Sequence, residues 1–187
     1  MFFIAHRGNI NGENKEEENK PEYILKAINQ GYDVETDVWI FEIFNNHQIY
    51  LGHDHPEHKV DLEFLVNNKD KLWCHCKNLT ALEFLLNKGL HCFVHDTDDA
   101  TLTSKGYVWT YPGKQQIQNS ILVKPDYKKN ADDTYSIEQY LLNNGMKKIT
   151  GICSDNISIF KNPRTRSKAP LDALASGLVA VAILKHI

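Results

Sequence analysis

The chain has 187 residues, a mass of 21.5 kDa and a formal net charge of −3 at pH 7; 42% of its residues are hydrophobic and 24% charged. That length favours a single core, and the composition excludes disordered and fibrous classes. The slightly acidic balance removes the electrostatic footprint needed to wrap nucleic acid.

In chain order, short apolar runs read as strands over Phe2–Ala5, Asp33–Ile40, Ile49–Gly52, Leu72–Cys76, His91–His95, Tyr107–Tyr111, Ile121–Val123 and Gly151–Cys153. Helical patterns fall between them over Pro21–Gln30, Asp61–Asn67, Leu79–Asn87 and Ile137–Asn144. Pro21 opens one helix, and Gly31, Gly89 and Gly145 follow helix ends, which is the usual punctuation. Alternation of strand and helix argues for a parallel α/β sheet, either closed into a barrel or open and doubly wound. The run Phe44-Asn45-Asn46-His47-Gln48 reads as a tight turn joining two strands, hence a hairpin. Residues 1–162 form the expected domain. The basic segment Pro163–Lys168 reads as a linker to a tail over 163–187, whose end is a covering helix or a loose extension.

The four cysteines, Cys74, Cys76, Cys92 and Cys153, form neither a CxxC pair nor a disulfide framework and read as reduced thiols. The opening residues carry too short an apolar run for a signal peptide, and no stretch reaches the ~18 apolar residues that span a bilayer. The expectation is a cytoplasmic protein without stable membrane insertion. Nothing in the sequence sets its oligomeric state.

Chemistry-bearing side chains gather at expected strand ends, the edge where parallel α/β proteins assemble their sites. They are His6-Arg7-Gly8, Glu35-Thr36-Asp37, Gly52-His53-Asp54 and His75-Cys76-Lys77. Strand parity puts Glu35 and Asp37 on one face, and likewise His75 and Lys77. Two adjacent carboxylates repel unless a cation lies between them, and a divalent metal is the economical answer. His6 and His53 have the chemistry to divide the work of base and acid, with Asp54 orienting one of them. Arg7 and Lys77 are suited to hold phosphate oxygens. His91, Phe93 and His95 share one face, as do Tyr107, Trp109 and Tyr111. The second stripe either fills the core or stacks on a ligand, with Trp109 the candidate binding ring. His47, His55, His58, His91 and His186 are expected at the surface.

The ordered set His6-Arg7-Gly8, Glu18-Asn19, Gly31, Glu35-Thr36-Asp37 and His53-Asp54, followed near the end by Gly151-Ile152-Cys153-Ser154-Asp155, resembles the glycerophosphodiester phosphodiesterases. The resemblance implies a compact TIM-like (β/α)8 barrel, here with shortened or missing helices. It also implies a phosphodiesterase using two histidines and a divalent metal on a small-molecule phosphodiester. Carried over, His6 and His53 are the acid–base pair, Glu35 and Asp37 metal ligands, Arg7 a phosphate contact and Glu18 a neighbour of the site. The family's Glu-x-Lys pair reads His75-Cys76-Lys77 here, so Lys77 matches and His75 stands where a third carboxylate ligand is usual. Two carboxylates and an imidazole suit manganese or zinc better than magnesium or calcium. That departure keeps two further expectations open: a non-catalytic domain binding a phosphorylated or carbohydrate ligand, and a different metal-dependent hydrolase.

Overall fold

The computed structural model describes residues 1–44, 46–124 and 149–161. The expected helix over 137–144 and the tail over 163–187 lie outside the described residues.

Among the described residues ten strands form one mixed sheet: β1 (Phe2–His6), β2 (Asp33–Ile43), β3 (Asn46–Leu51), β4 (His58–Val60), β5 (Leu72–Cys76), β6 (Cys92–Val94), β7 (Ala100–Leu102), β8 (Val108–Thr110), β9 (Ser120–Val123) and β10 (Ile149–Ser154). Among the described residues four helices accompany them: α1 (Pro21–Asn29), α2 (Leu62–Asn67), α3 (Leu79–Asn87) and α4 (Ser158–Lys161). Each of the first three has a local cause. Pro21 pre-sets the first turn of α1, and the side chains of Asp61 and Asn78 cap α2 and α3 by accepting the Phe64 and Ala81 amides at 2.8 and 2.9 Å.

The middle of the sheet is parallel and runs β6-β5-β2-β1-β10-β9-β8. Antiparallel strands extend it: β3 pairs the distal half of β2 from Val38–Leu51 to Ile43–Asn46, β4 pairs β3, and β7 pairs β8 at one end of the path. This corrects the TIM-like (β/α)8 barrel expectation. The architecture is a mixed ten-stranded sheet with few helices, because hairpins replace helical crossovers. Among the described residues no helix lies between β6 and β9. There the links over 95–99, 103–107 and 111–119 are short and carry loops and the β7–β8 hairpin.

The sheet is strongly curled. Trp73 on β5 and Trp109 on β8 lie five strands apart along the parallel path, which in a flat sheet would separate them by about 24 Å. Their ring centroids are 6.0 Å apart, and Phe93 on β6 reaches Trp109 at 4.6 Å. At the gap between the two ends, Ser104 donates its amide to the Cys92 carbonyl at 2.8 Å, and its hydroxyl accepts the Cys92 amide at 3.0 Å.

Curling gives the sheet two apolar faces. The convex face, with Ala5, Val34, Val38, Cys74 and Cys92, packs under α1 and α3 through Ile24, Ala27, Ala81 and Leu85. The concave face holds Ile4, Trp73, Phe93, Trp109, Ile121 and Cys153, with Phe2 and Tyr107 against them. All four cysteines are free and buried. The described residues contain no helix long and apolar enough to cross a membrane.

Candidate active site

Polar side chains crown the aromatic layer of the concave face, at the carboxyl ends of β1, β5 and β10 and in the first half of β2. Register places them together: His6 lies beside Glu35, and Asp37 beside His75. His6 Nδ1 donates to Asp155 Oδ1 at 2.6 Å, which leaves Nε2 aimed at Glu35 Oε2, 3.8 Å away. The same Asp155 accepts from Asn9 Nδ2 at 2.9 Å and pairs with Lys124 Nζ at 2.8 Å. Burial would raise the Asp155 pKa, but the hydrogen bond and charge of His6, with Lys124 and Asn9, hold it well below the usual carboxylate range.

The two β2 carboxylates differ in company. Asp37 pairs with Arg7 Nε at 3.0 Å, His75 Nδ1 at 3.0 Å and Lys77 Nζ at 3.5 Å, and accepts Asn19 Nδ2 at 3.0 Å. Burial opposes its charge, yet the His75 hydrogen bond and the Arg7 charge win, so its pKa is depressed. Glu35 is 3% exposed and, among the described residues, its carboxylate accepts one hydrogen bond, a long one from the Arg7 amide at 3.3 Å. Burial first, and then the nearby Asp37 charge, push its pKa up. For Arg7, burial opposes the charge, but Asp37, Glu35 and Glu18 outweigh it and raise the pKa. The guanidinium Nη1 is bonded to Glu18 Oε2 at 3.0 Å, so Arg7 positions carboxylates as well as contributing charge.

His75 Nε2 donates to the His95 carbonyl at 3.0 Å, which holds the ring in place and is the kind of outer bond that would orient it toward a metal. Its Nδ1 faces Asp37 at 3.0 Å and Glu35 Oε1 at 3.8 Å. A bare lone pair at that position would oppose two carboxylates, so the nitrogen holds either a proton or a metal. Burial lowers the His75 pKa, but Asp37 and Glu35 raise it further, consistent with a proton there in the metal-free chain. Ligand atoms of Glu35, Asp37 and His75 all lie within 4.8 Å of one another. The under-bonded buried carboxylate of Glu35 and the fixed tautomer of His75 therefore fit a divalent cation.

Of the residues singled out from sequence, His6, Arg7, Glu18, Glu35, Asp37, His75 and Lys77 meet here. His53 does not touch the cluster. It follows β3 on a loop, its Nδ1 2.7 Å from the exposed Asp54, although Gly52 N donates to the Asp37 carbonyl at 3.2 Å and roots that loop beside the site. Trp109 is 4% exposed among Trp73 and Phe93, so it fills the core, and Tyr111 is the open ring of that stripe. His91, expected at the surface, is buried against Trp73 with Nε2 2.9 Å from Thr103 Oγ1. His186 lies outside the described residues.

Sequence reasoning assigned no role to Asp155, Lys124, Asn9, Asn19 or His95. For the first two the strand-end rule was sufficient, since each directly follows or closely trails an apolar strand. Asn9 and Asn19 carry no such signal. A cavity of about 560 Å³ opens elsewhere, between β3, β4 and α3 beside His47, Lys59 and Phe84, and shares no residue with this cluster. No family model, no curated protein and no solved structure matches the chain.

Proposed function

We propose that the chain is a metal-dependent phosphodiesterase in which His6 moves the proton of the attacking hydroxyl. The observation that carries this reading is the His6–Asp155 pair, whose free nitrogen faces the Glu35–Asp37–His75 group at its nearest carboxylate. Asp155 fixes the His6 tautomer, so that Nε2 is the basic nitrogen, and stabilises the imidazolium once it forms. A divalent ion held by Glu35, Asp37 and His75 supplies, when bound, positive charge against the phosphoryl oxygens. Arg7, Lys77 and Lys124 add fixed cations around the same place, where burial strengthens their effect on developing negative charge. In the overall reaction an attacking water or substrate hydroxyl loses its proton to His6. The attacking oxygen bonds to phosphorus as the P–O bond to the leaving alcohol breaks, and the alkoxide takes a proton from His53 on its Asp54 partner. The ordered resemblance to glycerophosphodiester phosphodiesterases supports the same chemistry.

A second reading is favoured by one feature: Asp37 already has three cationic partners. On that reading the cluster binds a phosphorylated ligand without cleaving it.

Turnover of bis(4-nitrophenyl) phosphate separates the two. The wild-type chain should release nitrophenol with manganese present and stop on chelation, and His6→Ala should lower the rate by about 100-fold with circular dichroism unchanged. Absence of turnover with magnesium, calcium, manganese and zinc alike, or a His6→Ala variant as active as wild type, would overturn the catalytic reading.

A further inference from the structure

The cavity of about 560 Å³ between β3, β4 and α3 lies on the convex side of the sheet, away from the polar cluster. Ile49, Val60, Leu62 and Phe84 line it with apolar surface. Val60, Leu62 and Phe84 pack one side against the convex core and are only half-buried, so their outer sides remain available to a ligand. A concavity of that size, mostly apolar with a few polar groups, has the character of a small-molecule pocket.

Basic side chains gather around this lining. Lys88, directly after α3, holds Nζ 5.5 Å from the centre of the Phe84 ring, and the His47 ring lies 4.4 Å from the same ring. Lys59 lines the cavity from the edge strand β4. Among the described residues neither lysine forms an ion pair, whereas Lys20, Lys71, Lys77, Lys114 and Lys124 each have a carboxylate partner. Asp61, the carboxylate in the lining, already has a structural role: its Oδ1 accepts the Phe64 amide at 2.8 Å and caps α2. Two unpaired ammonium groups therefore adjoin an apolar surface whose one carboxylate is committed to a helix end.

Apolar surface beside uncompensated positive charge is complementary to an amphiphilic anion. The lining contains no arginine, and its two lysines are separate point charges. That suits a single carboxylate, whereas phosphate recognition favours a guanidinium fork. We infer that this cavity binds a carboxylate with an apolar chain, the chain lying against Val60, Leu62 and Phe84 and the head beside Lys59 and Lys88. The site shares no residue with the Glu35–Asp37–His75 cluster, and the inference does not rest on the proposed reaction.

The test titrates the full chain with decanoate and with decyltrimethylammonium, which offer the same chain with opposite charge, both below their micellar concentrations. Calorimetry should show one decanoate per chain, bound more than about 10-fold tighter than the cation. Amide resonances of His47, Ile49, Val60 and Phe84 should shift with decanoate, and those of Glu35, Asp37 and His75 should not. Both lysines are exposed, so the double variant Lys59→Glu, Lys88→Glu should keep the wild-type circular dichroism. It should nevertheless weaken decanoate by more than about 10-fold. Equal affinity for the two amphiphiles, no decanoate binding, unchanged decanoate affinity in the double variant, or shifts centred elsewhere would overturn the site. So would a dimer in sedimentation that the double variant dissociates, which would make this face a contact between copies of the chain.

Discussion

Arg7, Asn19 and Lys124 hold left-handed backbone conformations, with φ of 52°, 62° and 43°. For a residue with a Cβ each costs roughly 1 kcal/mol, and all three send side chains into the polar cluster. Backbone hydrogen bonds offset the strain: Arg7 N to the Glu35 carbonyl at 2.9 Å, Asn19 N to the Arg7 carbonyl at 3.1 Å and Lys124 N to the Cys153 carbonyl at 2.7 Å. His91 adds an acid-sensitive element to the core. Burial, with a smaller contribution from Lys105, pushes the His91 pKa down to about 4. Between that value and the ordinary 6.5 the unfolded chain binds the extra proton, so stability falls as pH drops through this window. Urea unfolding of the wild type should lose about 2 kcal/mol more than His91→Gln between pH 7 and pH 5. Parallel pH profiles for the two proteins would show that His91 is not the group responsible.

At the scale of elements, the β2–β3 hairpin connects the Glu35–Asp37–His75 cluster to His53. Trp39 and Phe41 continue the face of Asp37 along β2, and their rings stack at 6.4 Å. Trp39 Nε1 donates to the Gly52 carbonyl at 2.7 Å, closing the root of the loop. Gly52 has φ 146°, and a Cβ there would run into the His55 carbonyl oxygen, a backbone atom that cannot swing aside. Gly52→Ala should therefore destabilise the protein by more than about 1 kcal/mol, visible as a melting temperature lowered by several degrees. A variant melting with the wild type would mean that the loop backbone is free to rearrange.

These elements also show what the sequence makes legible. The bounds of β5 and α3 are readable to the residue, because an apolar run and an Asn78 cap mark them locally. The facing pairs Glu35 with Asp37 and His75 with Lys77 follow from parity alone. Three-residue strands such as β4 and β7 leave no pattern long enough to read. The β2–β3 and β7–β8 hairpins, which stand where helical crossovers are expected and so overturn the barrel, carry a weak signal made of turn residues. The role of Asp155 depends on β10 lying beside β1, and the burial of His91 on Thr103 and Trp73; both are products of tertiary packing.

The whole molecule places its chemistry by curling one sheet. Rings from strands at the two ends of the parallel path, Phe93 and Trp109, meet over Ile121 and Cys153 and fill the concave side from below. Water is thereby excluded beneath the polar layer, which leaves His6, Glu35, Asp37, His75 and Asp155 buried or nearly so at one end. The proposal that Glu35, Asp37 and His75 share one divalent cation beside His6 is tested most directly by manganese binding followed by electron paramagnetic resonance. The wild type should bind one ion per chain, with Asp37→Asn and Glu35→Gln each weakening binding by more than about 10-fold. Equal affinity in all three proteins, or no bound manganese in the wild type, would contradict the claim.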